Sequence, residues 1–183
     1  MTLQLGILAT LVVMAALVLG RLAKAWLKYR GARIVTCPES RKPAGVVVNA
    51  RHAAATCLAA KEPDLRLSSC SRWPERANCG QQCLAQIAAA PEDCRVRTIL
   101  ARWYAGQVCA GCGQPIGEIQ WGASEPALLQ TAKVSVAWSE VPADKLLGVL
   151  AASSPLCFAC HMANTLVREH PELVVERSAN DPI

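Results

Sequence analysis

Residues 109–117 read CAGCGQPIG and residues 156–166 read LCFACHMANTL, two CxxC pairs with 44 residues between them. Two intervening residues let the sulfurs of Cys109 and Cys112 converge on one ion, and Cys157 and Cys160 complete four thiolates around a tetrahedral zinc. Gly113, directly after Cys112, suits a tight knuckle because glycine adopts the positive φ that such turns need. The second pair opens a helix, where the N-terminal dipole favours a thiolate. A knuckle and a helix start, joined through strands, predict an α+β domain.

A CxxCG knuckle followed by Pro115, Ile116 and a strand, with a second CxxC in the first turn of a helix, resembles the treble-clef zinc fingers, including those with LIM-type knuckles. The resemblance covers residues 108–167. It implies a treble-clef-like fold and a zinc ion, and carries the ligand role onto Cys109, Cys112, Cys157 and Cys160. It implies no particular activity, since treble clefs serve many functions. The same residues spell a rival reading, because Cys157, Cys160 and His161 form the CxxCH of c-type haem attachment. His161 would then be the proximal ligand and Met162 or His170 the other axial group. Haem requires an exported domain and leaves Cys109 and Cys112 without partners, whereas zinc uses all four thiols.

Six further cysteines precede these: Cys37, Cys57, Cys70, Cys79, Cys83 and Cys94. Cys70, Cys79, Cys83 and Cys94 form the tighter subset, in CSRWPERANCGQQC and PEDC. Cys79 and Cys83 stand four apart and read as one face at the start of a helix. A turn at Pro91 can bring Cys94 back beside them, and Cys70 enters from the preceding loop. The set is open to a second zinc, an iron–sulfur cluster or plain buried thiols, with Cys37 of TCPES as substitute for any of the four. Cys57, in an Ala/Leu helix, reads as a small buried hydrophobe, and His52 on that helix as a surface or capping residue. Trp73 and Pro74 read as a loop cover over this group, and Arg72, Glu75 and Arg76 as a solvated ion cluster. TCPES, SRWPER and LCFACH together are similar to bacterial membrane-anchored cysteine-rich proteins, a resemblance that implies no activity.

Residues 3–20 carry no charge and are long enough to span a bilayer. Leu22, Ala23, Ala25, Trp26 and Leu27 continue the helix into the interface, so residues 3–27 are the expected lipid contact. Trp26 and Tyr29, interleaved with Arg21, Lys24, Lys28, Arg30 and Arg33, form an interfacial anchor. Basic residues follow the span and none precedes it, so the positive-inside rule puts the N-terminus outside and the domain in the cytoplasm. The missing basic n-region argues against a secretory signal peptide. The alternative is an anchor that projects the domain to the exported side. Compartment decides the cysteine chemistry, because cytosolic thiols stay reduced and ligate metals while exported thiols pair or attach haem. Gly6, Ala9, Ala15, Ala16 and Gly20 permit close contact with other transmembrane helices.

From Gly31 onward fifteen Lys/Arg face fourteen Asp/Glu, so nearly all of the formal +5 belongs to Arg21, Lys24, Lys28 and Arg30. A near-neutral domain lacks the basic face that nucleic acid requires. No phosphate-binding glycine loop, nucleophile elbow or HExxH is present, and three histidines make a general-base arrangement hard to assemble. The expectation is therefore a protein that is not an enzyme, with no small-molecule substrate identified. Aromatic residues are only 4% of the chain beside ten cysteines, so sulfur chemistry is expected to supplement a thin core.

The expected organisation is an anchor over 1–30, a cysteine-rich, mainly helical subdomain over 31–105, a treble-clef-like zinc subdomain over 106–176 and a fraying tail over 177–183. Strands are expected over 45–49, 116–121 and 132–138, helices over 50–60, 79–89, 94–104, 141–152 and 158–168, and a loop over 61–78. Trp103, Trp121 and Trp138 follow core patterns. The functional expectation is a non-catalytic, membrane-anchored accessory or adaptor subunit of a membrane complex, holding one or two structural zinc ions. The alternative is an electron-transfer subunit, with an iron–sulfur cluster at Cys70, Cys79, Cys83 and Cys94 or a c-type haem at CFACH.

Overall fold

The structure is a computed structural model that describes residues 2–59, 62–73, 75–76, 78–131 and 133–173; the expected tail over 177–183 and the cover by Pro74 lie outside them. The chain mixes helix and sheet and divides into two compact units, Met1–Ile99 and Leu100–Ile183.

The first unit begins with helix α1, Thr2–Tyr29. Its stretch Gln4–Tyr29 contains an 18-residue window with a mean hydropathy of 2.3 and is long and apolar enough to cross a membrane, and equally compatible with a signal sequence. Residues 4–21 are exposed along their whole length, whereas the last turn enters the fold through buried Tyr29. Gly31, at φ 94°, turns the chain sharply into strand β1, Ala32–Thr36, a conformation that β-branched residues resist. β1 pairs antiparallel with β2, Pro43–Val48, and β2 with β3, Leu67–Cys70, so β2 is central.

Alternation along β2 buries Ala44, Val46 and Val48 on one face. That face receives Ala53 of helix α2, Ala50–Thr56, and Ile87 of helix α3, Leu84–Ala89, both fully buried. Each buried Val or Ile of this face contributes roughly 1.5–3 kcal/mol by leaving water, and each Ala about 0.8 kcal/mol. α2 also packs along α1. Arg33 is fully buried, and its guanidinium donates to the carbonyls of Lys28, in the last turn of α1, and of Pro91.

Two expectations change here. The segment 61–78 contains β3, whose short polar LSSC has no apolar signal of its own and exists because β2 offers it a ladder. The helix expected over 79–89 starts only at Leu84, because Gln81 takes a left-handed φ of 51° that a helix cannot contain.

In the second unit, after helix α4, Val96–Tyr104, the chain forms a knuckle and a loop before a sheet of order β5-β4-β6. Its strands are β4 Ala127–Leu129, β5 Ser135–Ala137 and β6 Ser154–Leu156, all antiparallel to their neighbours. Helix α5, Leu146–Ala152, precedes β6, and helix α6, Phe158–Glu169, follows it. Leu128, Leu146, Leu150 and Leu156 make a small aliphatic core.

The strand expected over 116–121 is absent, because the backbone closes locally between Gln120 and Ser124 around Gly122 at φ 86°. The strand over 132–138 shrinks to β5, and Trp138 opens a 3-10 turn. Trp103, Trp121 and Trp138 are half-buried rather than central; Trp121 and Trp138 meet edge to face at 5.7 Å. The buried aromatic among the described residues of this unit is Tyr104, whose hydroxyl donates to Ala127 O at 2.8 Å. Tyr104→Phe should cost about 1 kcal/mol by leaving that buried carbonyl short of a donor, read as a lower urea midpoint of the full chain in detergent; an unchanged midpoint refutes it.

Candidate metal centre

The knuckle is built by backbone hydrogen bonds around Cys109. Its N–H donates to Gln114 O at 2.8 Å, and Gly113 N–H donates to Cys109 O at 2.9 Å. Gly113 sits at φ 70°, which is why a glycine follows Cys112. Gly111 is required for a different reason. A Cβ there would lie 3.0 Å from Cys160 Sγ and 3.2 Å from both Cys160 Cβ and Leu156 Cδ1, so the knuckle and α6 approach this closely only over a bare Cα.

The second pair is delivered by β6 and α6. Ala110 N–H donates to Pro155 O at 2.9 Å, stitching the knuckle to β6. Leu156 then buries itself in the core, and Cys157, the next residue, is the N-cap of α6. Its extended backbone turns its sulfur toward the helix, where it accepts Cys160 N–H at 3.5 Å. Local chain geometry therefore aims both pairs at one point.

The Sγ atoms of Cys109, Cys112, Cys157 and Cys160 all lie within 4.8 Å of one another, with Cys112 and Cys157 at 3.9 Å. Sulfurs about 2.3 Å from one tetrahedral zinc would stand about 3.8 Å apart. Only a small contraction separates the present geometry from ligation. Cys109 is buried, Cys157 and Cys160 are half-buried and Cys112 is exposed. All ten cysteines of the chain carry free thiols.

Burial works to raise the pKa of Cys109, but the backbone N–H groups of Cys157, Cys112 and Gly111 outweigh it and hold the thiol at about 6. Two of these bonds measure 3.2 Å from Cys157 N–H and 3.4 Å from Gly111 N–H. Cys160 moves the opposite way, up to about 12, first through Cys157, then through burial and the neighbouring Cys109 and Cys112 sulfurs. Four thiols this close cannot all ionise alone, and a divalent cation removes that restraint by displacing the remaining protons. The four-cysteine group can hold a metal ion.

His161, next in the chain, points elsewhere: its Nδ1 lies 2.9 Å from Ser135 Oγ on β5. Met162 is exposed, and His170 Nδ1 lies 3.2 Å from Glu172 Oε1.

Among the other cysteines, Cys37, Cys70, Cys79 and Cys83 line one cavity of about 30 Å³, together with Arg72 and Trp73. Cys94 does not join them. It lies in the turn between α3 and α4, where its sulfur is 3.4 Å from Ala90 O and 3.5 Å from Pro91 O. Pro91 bends the chain so that the thiol caps the end of α3 instead of folding back on Cys79. Cys79 and Cys83 share no helix, since Cys79 lies in a turn and Cys83 is the N-cap of α3.

The Cys37 thiol is held below its ordinary range by the Ser40 side chain and backbone N–H, against a weaker effect of burial. Cys83 is raised by burial and then by Cys70, Cys79 and Cys37. Glu75 and Arg76 are exposed, and Arg76 stands 4.0 Å from Glu39. Cys57 is half-buried with its sulfur 3.9 Å from Arg21 O, and His52 pairs with Asp64 at 2.8 Å while Asn49 caps its backbone N–H. Cys37 lines the cavity and Cys94 is held in the Pro91 turn, a difference of tertiary folding that residue spacing does not carry.

Comparison of the chain with known protein families, curated proteins and solved structures finds no match.

Gly111→Ala forces a methyl group into the gap between knuckle and helix. Overpacking of this kind costs about 1–3 kcal/mol, and the metal affinity of the C-terminal site should fall tenfold or more in competition against a chromophoric chelator. Equal affinities would show that the close approach is not needed.

Proposed function

We propose that this protein is a non-catalytic, membrane-anchored accessory subunit whose C-terminal unit is held together by a structural zinc in a treble-clef-type site. The observation that carries this reading is the convergence of Cys109, Cys112, Cys157 and Cys160 within 4.8 Å. Four thiolates fill a tetrahedral shell and leave no open position for a water or a substrate, which is the arrangement of a structural rather than a catalytic ion. The thin aliphatic core of this unit gives the metal a purpose, since small domains need such supplements. The His161 ring, engaged by Ser135, fits zinc better than haem, which would need that imidazole as an axial ligand.

Anchoring is supported by the exposed apolar length of α1 and by the collar that follows it. Arg30 lies 4.8 Å over the exposed Trp26 ring, pairing a basic and an aromatic group where a headgroup region would accept them. The basic residues after the span orient the domain to the cytoplasm, where the ten thiols stay reduced. Docking is supported by α6, on which Phe158, Met162 and Leu166 form an exposed apolar stripe at a spacing of four residues. The small residues of α1, from Gly6 to Gly20, fit close packing against helices of the partner complex.

Zinc and iron analysis with an absorption spectrum tests the site. Purified protein should be colourless and contain zinc without iron. Cys112→Ser or Cys160→Ser should lose one zinc per chain and make the C-terminal unit protease-sensitive; a Soret band, or a variant that keeps its zinc, overturns the reading. Topology is tested separately: a C-terminal fluorescent-protein fusion should glow while an alkaline phosphatase fusion stays inactive, and the reverse pattern would place the domain on the exported side.

A further inference from the structure

We propose that the first unit touches the bilayer a second time, through the apolar C-terminal end of α2, where Leu58 enters the headgroup layer of an anionic phospholipid membrane beside Arg21. The inference rests on α1 spanning that membrane, and it adds a contact that the span alone does not require.

Protection along α1 marks where the fold begins. Residues 4–21 are exposed, and of the next nine only Leu22, Ala25 and Tyr29 are shielded. Their spacing of three and four residues puts them on one face, and α2 packs along α1. The two helices run antiparallel. Ala50 and Ala53, in the first turn of α2, share the core with Tyr29, whereas Cys57, the C-cap of α2, has its sulfur 3.9 Å from Arg21 O. At a rise of about 1.5 Å per residue, Arg21 to Tyr29 covers about 12 Å and Ala50 to Cys57 about 10 Å. The second helix therefore returns along the same stretch of α1 to the point where the apolar span ends.

That point is the edge of the hydrocarbon. Residues 3–20 are about 27 Å long as a helix, close to the thickness of a bilayer core, and Arg21 is the first charge after them. The turn of residues 57–59 lies level with this edge. Leu58 there is 46% exposed, with Ala55 and Ala59 exposed beside it, and no residue from Ala53 to Ala59 is charged. Single exposed leucines are ordinary. Leu58, however, is the one exposed large apolar side chain of this unit outside α1 among the described residues, and it sits at the membrane's level.

The polar groups around it are disposed to match. Thr56 turns its hydroxyl inward, donating to His52 O at 2.9 Å and accepting Asp64 N–H at 3.1 Å. The Asp64 carboxylate is paired with His52 at 2.8 Å and with Arg66 at 2.9 Å. Against the exposed Glu62 stand the exposed Arg21, Lys24 and Lys28, so the surround is cationic and complements anionic headgroups. An apolar tip ringed by basic residues is the composition of an interfacial contact.

The experiment uses the full chain in nanodiscs of phosphatidylcholine and phosphatidylglycerol in equal parts, with the photoreactive p-benzoylphenylalanine placed singly at Leu58, Leu11 or Arg51. Leu58 is exposed, so its replacement leaves the core intact. After irradiation, lipid adducts should form at Leu11, in the middle of the span, and at Leu58, and should be about tenfold scarcer at Arg51, in the first turn of α2. Without phosphatidylglycerol the yield at Leu58 should fall at least about twofold while that at Leu11 holds.

Adducts at Leu11 with none at Leu58 overturn the proposal and leave the span standing. No adduct at Leu11 refutes the span and this contact together. Equal yields at Leu58 and Arg51, a Leu58 yield indifferent to headgroup charge, or a Leu58 crosslink to a second copy of the chain would each overturn the proposal as well.

Discussion

The C-terminal unit depends on what surrounds a single sulfur atom. Cys109 Sγ accepts one N–H from its own knuckle, at Gly111, and one from the cap of α6, at Cys157, so two segments far apart in the chain share one acceptor. Their approach is possible because Gly111 presents no side chain to Cys160. The same contact surface sends Ala110 N–H to β6 and seats Leu156 in the core. Knuckle, strand and helix are thus held by hydrogen bonds before any ion is considered. A cation entering this arrangement meets ligands already aimed at it and has little chain entropy left to overcome.

The cysteines that lie close in sequence were the legible ones. CxxC spacing fixes two sulfurs through local geometry alone, and the start of α6 at Phe158 agrees with its sequence reading to the residue. The apolar run that became α1 is likewise a local signal. Residues 116–121 misled because alternating side chains there suggest a strand, while Gly122, at φ 86°, allows a turn between Gln120 and Ser124 that sequence alternation does not register. The grouping of the first six cysteines depended on something spacing cannot hold. Cys94 is eleven residues from Cys83 and Cys37 is thirty-three from Cys70, yet Cys37 lines a cavity in common with Cys70 and Cys83, while a proline turn diverts Cys94. β3 itself was hidden, since LSSC becomes a strand only through its neighbour.

The two units solve a shared problem in related ways. Each has a three-stranded antiparallel sheet, too small to bury a large apolar face, and each sets cysteines beside it: four converge in the C-terminal unit, and four line one cavity in the N-terminal unit. In the C-terminal unit the ligands come as two local pairs, and the fold between them can vary in length without disturbing the aim.

Arg33 gives the first unit a mechanical property. Its guanidinium joins the last turn of α1, at the Lys28 carbonyl, to the Pro91 turn, and its own backbone is part of β1. A helix fastened in this way cannot swivel like a leash. Tilt or rotation of α1 passes as torque into β1, whose far end lies about 13 Å away at Cys37 by strand geometry. One buried side chain thus fixes where the helix leaves the sheet and where the chain turns at Pro91.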